Sequence, residues 1–256
     1  MGDQEHQKVT AYKISSLERG LQILELLSGE PAMSAAEVAH RLGLNRATAH
    51  RFLAALLGLG YLGKDANARY RVSTRLFELG MRMASRNDLR TVAHPHLLAL
   101  SQIHRETVNL GQLDGGEVVH IDKVDSDEVL RVDVPIGSRA PAHCVALGKA
   151  ILSVRSDIAL SNLLLQQMTD NTIIDHGLLA RELESIRERG YAVDNEEYHY
   201  GLRCVAVPIV GIGERAEFAI SISAPKMRMS DERVDTIQQD LRAASASIAA
   251  ELRSAQ

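Results

Sequence analysis

The chain has 256 residues, 45% hydrophobic and 24% charged, the balance of a folded globular protein long enough for two domains. Its net charge of −4 excludes a uniformly basic nucleic-acid binder, but the charge is divided: residues 1–85 hold 11 lysines and arginines against 8 acidic side chains, and residues 86–256 hold 18 against 25, so only the front is expected to meet a polyanion. Two distant cysteines (Cys144 and Cys204), a polar start at Met1–Lys8 and no apolar run of spanning length predict a cytoplasmic protein with reduced thiols and no membrane contact.

Residues 1–12 read as a polar tail. Ser15 and Glu18 have capping-box spacing, and the helix behind them carries Leu17, Leu21, Leu24 and Leu27 before it ends near Ser28–Gly29. Ser34 and Glu37 repeat the capping-box spacing ahead of Val38, Ala39 and Leu42. Gly43 suits the positive φ of a helix C-terminus, and Asn45 is a good N-cap for the next helix. In that helix Ala49, Phe52, Leu53, Leu56 and Leu57 form the buried stripe. Arg46, Ala47, His50 and Arg51 fall outside it, with Thr48 beside them.

A small and cationic face opposite a buried one is what a major-groove reading helix needs. Arginine forks onto guanine edges or phosphates, and small residues admit close approach. The cap residues Ser34 and Asn45 count among the DNA-facing positions. Tyr61–Lys64 and Arg69–Ser73 read as two short strands around a polar turn. Three helices and a hairpin make a winged helix-turn-helix over residues 1–73. Lys64, Arg69 and Arg71 are placed for phosphate contacts, which give affinity without sequence information.

Residues 74–89 read as a linker helix with Leu76, Leu79, Gly80 and Met83 on one face, and Arg86–Arg90 as a polar break. A second domain, 90–256, opens with a helix over Thr91–Arg105. Its His94, His96 and His104 lack the cysteine or carboxylate partners of a metal ligand set. Thr107–Leu113, Glu117–Val124 and Val129–Val134 read as strands. Ala140–Val154, Ile158–Met168 and Leu178–Arg189 read as helices. Tyr191–Val193, Val205–Val210 and Glu217–Ser223 return to strand, and Ser230–Arg253 closes as a long helix. This mixture predicts an α+β domain with an antiparallel sheet.

Gly148–Lys149 lacks the remainder of a phosphate loop, since His143 and Ala150 stand where glycine and Ser or Thr belong. Gly211–Ala216 mimics a dinucleotide fingerprint, but a strand follows, so it reads as a hairpin turn. Cys144 beside His143, or Cys204 with Asp194, has no visible oxyanion-hole motif, and no catalytic residue, cofactor or metal is expected. Ser221 and Ser223 lie two apart and project to one side of a strand. With Asp194 and Cys204 they fit either a small-molecule pocket or a polar strand face that meets water.

From about Ile14 to the last helix the chain resembles the IclR family of bacterial transcriptional regulators. The similar stretches are Leu17–Leu27, LGLNRATAHRFLAALLGLGYL, RYRVSTRLFELG, IGSRAPAHCVALGKAIL, GYAVDNEEYHYGLRCVAVPI and AISISAP. The resemblance implies a winged helix-turn-helix, a linker helix and a C-terminal GAF-like effector-binding domain, assembled as a homodimer or tetramer on double-stranded operator DNA. It implies a small organic, sugar or aromatic acid as effector. Carried over by motif, the effector positions are Ala146 and Leu147 at a helix start, Asp194, Cys204, Ser221 and Ser223. The expected function is transcription regulation, with repression favoured over activation. The rival readings are a metal or thiol-redox sensor using Cys144 and Cys204, and an enzyme with an appended DNA-binding head.

Overall fold

The structure is a computed structural model that describes residues 14–84, 88–211 and 216–254. The expected tail at 1–12 and the tip of the turn at 212–215 lie outside the described residues. The chain divides into two compact units, Met1–Arg86 and Asn87–Gln256.

In the first unit α1 (Ser15–Ser28), α2 (Ala35–Arg41) and α3 (Arg46–Gly58) precede a hairpin of β1 (Leu62–Lys64) and β2 (Tyr70–Val72), then α4 (Thr74–Ala84). The α1 start differs from expectation. Ile14 is its N-cap, and no side chain caps it. Its buried line is Ile23 and Leu27, whereas Leu17 and Leu21 are exposed. Those two share a heptad-like face that a three-helix core does not fill. Ile23 and Leu27 pack with Val38, Leu53, Leu62 and Tyr70 in one core. Gly43 takes φ +61° between α2 and α3, a conformation that a Cβ disfavours.

The second unit is a six-stranded antiparallel sheet of order β5-β4-β3-β8-β7-β6 with helices on both faces. Its strands are β3 (Thr107–Asp114), β4 (Glu117–Val124), β5 (Arg139–Pro141), β6 (Ala192–Asn195), β7 (Leu202–Ile209) and β8 (Phe218–Pro225). α5 (Asp88–His104) and α8 (Asp231–Ser254) bury Val205, Val207, Ile220 and Ile222 on one face. α6 (Ala146–Ser153) and α7 (His176–Arg189) cover Ala192, Ala206 and Ala219 on the other. Period-two alternation along β7 and β8 thus sends bulky β-branched residues to one layer and small or polar ones to the opposite layer.

Three expected elements change. Val129–Val134 forms no strand, because β4 pairs with Arg139–Pro141 instead. Ala140–Val154 becomes a strand end and a loop before α6 starts at Ala146. Ile158–Met168 keeps only a 3₁₀ turn at Leu160–Asn162. α5 opens at Asp88, within the stretch expected to link the domains.

Candidate DNA-reading surface and effector cavity

The head is built by local caps. Ser34 Oγ accepts from the Glu37 amide at 3.3 Å, and Glu37 Oε2 accepts from the Ser34 amide at 2.6 Å. These bonds to Ser34, helped by Arg69, hold the Glu37 carboxyl below its ordinary range. Asn45 Oδ1 accepts from the Thr48 amide at 2.8 Å and starts α3. With Ala49 and Leu53 buried, Arg46, Ala47, His50 and Arg51 are exposed, and Thr48 is half-buried. The Arg51 guanidinium lies 5.9 Å from the Phe52 ring centre.

On the hairpin, Lys64 and Arg71 are exposed, and Lys64 Nζ sits 4.8 Å from the Tyr70 ring centre. Arg69 differs from the expected phosphate contact. It is half-buried and donates to Ala32 O at 3.2 and 3.0 Å and to both Glu37 oxygens at 3.0 Å. Its guanidinium ties the wing to the start of α2, and the bridge between Met33 and Tyr70 reinforces that tie.

In the second unit, strand register makes a polar floor. Thr107, Ser223, Cys204 and Asp194 stand opposite one another in one row across β3, β8, β7 and β6. Asn109, Ser221, Ala206 and Ala192 form the next row. Residues paired directly across antiparallel strands share a face. Small alanines in the second row leave room above it. The resulting cavity of about 480 Å³ is lined by Ala146, Leu147, Asp194, Cys204, Ser221 and Ser223. All six residues expected at an effector therefore border one space. Sequence reasoning missed its other walls: His120, the Arg131–Pro135 segment, Ser138 to Ala140, and Tyr198 to Tyr200.

The start of α6 faces this cavity through Ala146 and Leu147, and no side chain caps it. Gly148 allows the approach, since a Cβ there would come within 2.2 Å of Ala142 O. An uncapped helix start presents free amides and a partial positive charge.

Asp194 is 2% exposed. Burial pushes its pKa up to about 7, and the neighbouring Glu197 charge adds to the rise. Amides of Glu197 at 2.7 Å and Tyr198 at 3.4 Å donate to its Oδ1, which opposes the shift. The turn after Asp194 is anchored by Lys149, which is 1% exposed. Its Nζ donates to Val193 O at 2.7 Å and to the buried Glu197 carboxylate. A lysine inside the small apolar run of α6 was the available signal for this anchor.

Burial raises the Cys144 thiol to about 12 and the Cys204 thiol higher still, so neither is a ready nucleophile at neutral pH. His94, His96 and His104 each pair with a carboxylate, Asp122, Glu251 and Asp240. No cluster of three metal-ligating side chains stands among the described residues. A more open cleft of about 560 Å³ runs along β6, but its Arg189 and Arg203 already pair with Glu182 and Asp231. The described residues contain no helix long and apolar enough to cross a membrane.

A winged helix-turn-helix with outward arginines, and a separate domain holding a sheet-floored cavity, define a DNA-binding regulator with a ligand-binding domain. The family model for the bacterial transcriptional regulator IclR C-terminal domain matches residues 81–250, and that for the IclR helix-turn-helix domain matches 16–66. The chain belongs to the IclR family of transcriptional regulators. The HTH-type transcriptional regulator BhcR of Paracoccus denitrificans is 35% identical over 88% of this chain and 82% of its own. The transcriptional repressor IclR of Escherichia coli is 32% identical over 87% and 84%. An IclR homolog complexed with 4-hydroxybenzoate, from Microbacterium hydrocarbonoxydans, matches with a TM-score of 0.82 at 26% identity, over 93% of this chain and 99% of that one.

Proposed function

We propose that this regulator is a repressor released from, or locked onto, its operator by a small organic anion bound in the cavity. The observation that carries the reading is the uncapped start of α6 facing Ser221 and Ser223 across one space. Amides and hydroxyls together suit a carboxylate. A charged Asp194 would repel an anion, but its raised pKa lets it stand neutral and donate a proton to a ligand oxygen. This favours a hydroxy-, keto-, sugar or hydroxylated aromatic acid. The 4-hydroxybenzoate bound by the Microbacterium homolog is one such acid. Repression is favoured by the likeness to the Escherichia coli repressor.

The head reads operator DNA through Arg46 and Arg51, with Ala47, Thr48 and His50 on the same face and Lys64 and Arg71 at phosphates. Exposed Leu17, Leu21, Phe77, Leu79 and Met81 support a dimer, since single chains rarely leave so much apolar surface in one small unit. A ligand that prefers one dimer arrangement by about 5.5 kcal/mol switches occupancy fully.

The test is titration calorimetry with lactate, gluconate and 4-hydroxybenzoate. At least one binds wild type, and the Ser221→Ala/Ser223→Ala double variant loses tenfold or more in affinity. Equal affinity in the double variant, or an effector that proves cationic, sinks the reading. Light scattering that finds only monomer, with and without DNA, removes the dimer.

A further inference from the structure

Asn109 lies in β3 opposite Ser221, on the cavity side of the sheet, and is 1% exposed. Its Nδ2 donates to Ser223 Oγ at 3.2 Å, while its Oδ1 has no hydrogen-bond partner. An orphaned buried carbonyl disfavours folding, so an aliphatic side chain of the same size would suit the sheet at least as well. The amide therefore calls for a reason other than stability.

Ser223 supplies that reason. A hydroxyl has one proton and two lone pairs. Asn109 fills one lone pair. With that lone pair taken from within the protein, the Ser223 hydroxyl offers its proton to the cavity that Ser223 lines.

We propose that Asn109 is a positioning residue for ligand recognition: by donating to Ser223 it fixes that hydroxyl as a donor, so the cavity selects a ligand that presents a carboxylate oxygen there. The inference rests on the effector reading of the cavity, and the experiment separates the two.

Full-length wild type, Asn109→Leu, Ser223→Ala and the double variant are titrated with lactate, gluconate and 4-hydroxybenzoate by calorimetry, beside urea unfolding of each. Asn109→Leu weakens the bound acid about five- to tenfold. It does not lower the urea midpoint, which a merely structural asparagine would do. In the Ser223→Ala background the same change has no further effect on affinity, since Asn109 acts only through Ser223. Asn109→Asp, of similar size but unable to donate when ionised, is the second variant and weakens binding more than leucine does. Undiminished affinity in both single variants, or an equal loss with and without Ser223, overturns the inference alone. Failure of all three acids to bind wild type overturns the effector reading and this inference with it.

Discussion

In the head, Arg46, His50 and Arg51 stand exposed on α3, and the helix starts are fixed by caps three residues long at Ser34 and Asn45. In the cavity, Asp194, Ser221 and Ser223 are buried, and their alignment comes from the register of β6, β7 and β8. The head's functional side chains make few bonds within the protein, so they can change without disturbing the fold. The cavity's polar groups are part of the sheet and its supports, so ligand recognition and stability draw on the same contacts. Separability in one unit and coupling in the other can each be broken by experiment.

The largest effect is expected at Lys149. Replacing it by methionine keeps its length but leaves the buried Glu197 carboxylate without its partner and Val193 O without its donor. Removing one member of a buried ion pair costs about 3–5 kcal/mol. Urea unfolding of Lys149→Met should show a loss of that size, and ligand affinity should fall as well, because the Asp194 turn loses its anchor. A stable variant with unchanged affinity would break the claim of coupling.

The head should behave in the opposite way. Arg46→Ala and Arg51→Ala each weaken operator binding by about 1–3 kcal/mol and relax preference at one base pair. Their stability stays within about 0.5 kcal/mol of wild type. Fluorescence anisotropy and urea melts check both halves, and unchanged operator affinity in both variants would remove them from the reading surface. Arg69 and Arg71 sharpen the contrast inside the hairpin. Arg71→Ala lowers the salt slope of binding by about 1. Arg69→Ala loses its ties to Ala32 and Glu37 and costs about 1 kcal/mol of stability.

The same contrast explains what sequence reveals. The caps at Ser34 and Asn45 were legible because a cap is made within three residues. Ser15 and Glu18 have the same spacing, yet Ile14 is the cap of α1, so spacing alone does not decide which residue leaves the helix. Val129–Val134 has strand-like residues but no partner strand, and it became a wall of the cavity. The Asp194–Cys204–Ser223 row depends on pairing between distant strands, which no local pattern encodes. Residue types alone left Asp194, Cys204 and Ser223 between a pocket and a polar strand face, and family resemblance chose the pocket. Asn109 and His120 act by tertiary contact, and nothing in their flanking residues marked them; Lys149 was marked only by standing as a lysine within an apolar run.

The effect that joins stability to recognition concerns protons at Asp194. Its pKa of about 7 in the folded chain lies well above the ordinary 3.8. Between those values the folded state holds a proton that the unfolded state does not. The carboxyl's contribution to stability is therefore complete below about pH 4 and is withdrawn as the pH rises through 7. Glu197 beside it favours the neutral form, and Lys149 opposes that. An anionic ligand reads the same equilibrium, since it prefers the neutral carboxyl, which donates a hydrogen bond, over the charged one, which repels. From pH 6 to pH 8 the neutral fraction falls from about nine-tenths to about one-tenth, so affinity should fall about tenfold, or about 1.4 kcal/mol. Calorimetry in buffers of different ionisation enthalpy should show net proton uptake on binding at pH 8 and little at pH 6. In Asp194→Asn the pH dependence should vanish while an acid still binds. If that variant keeps the wild-type pH profile, the titrating group lies elsewhere, and Asp194 takes no part in choosing an acid.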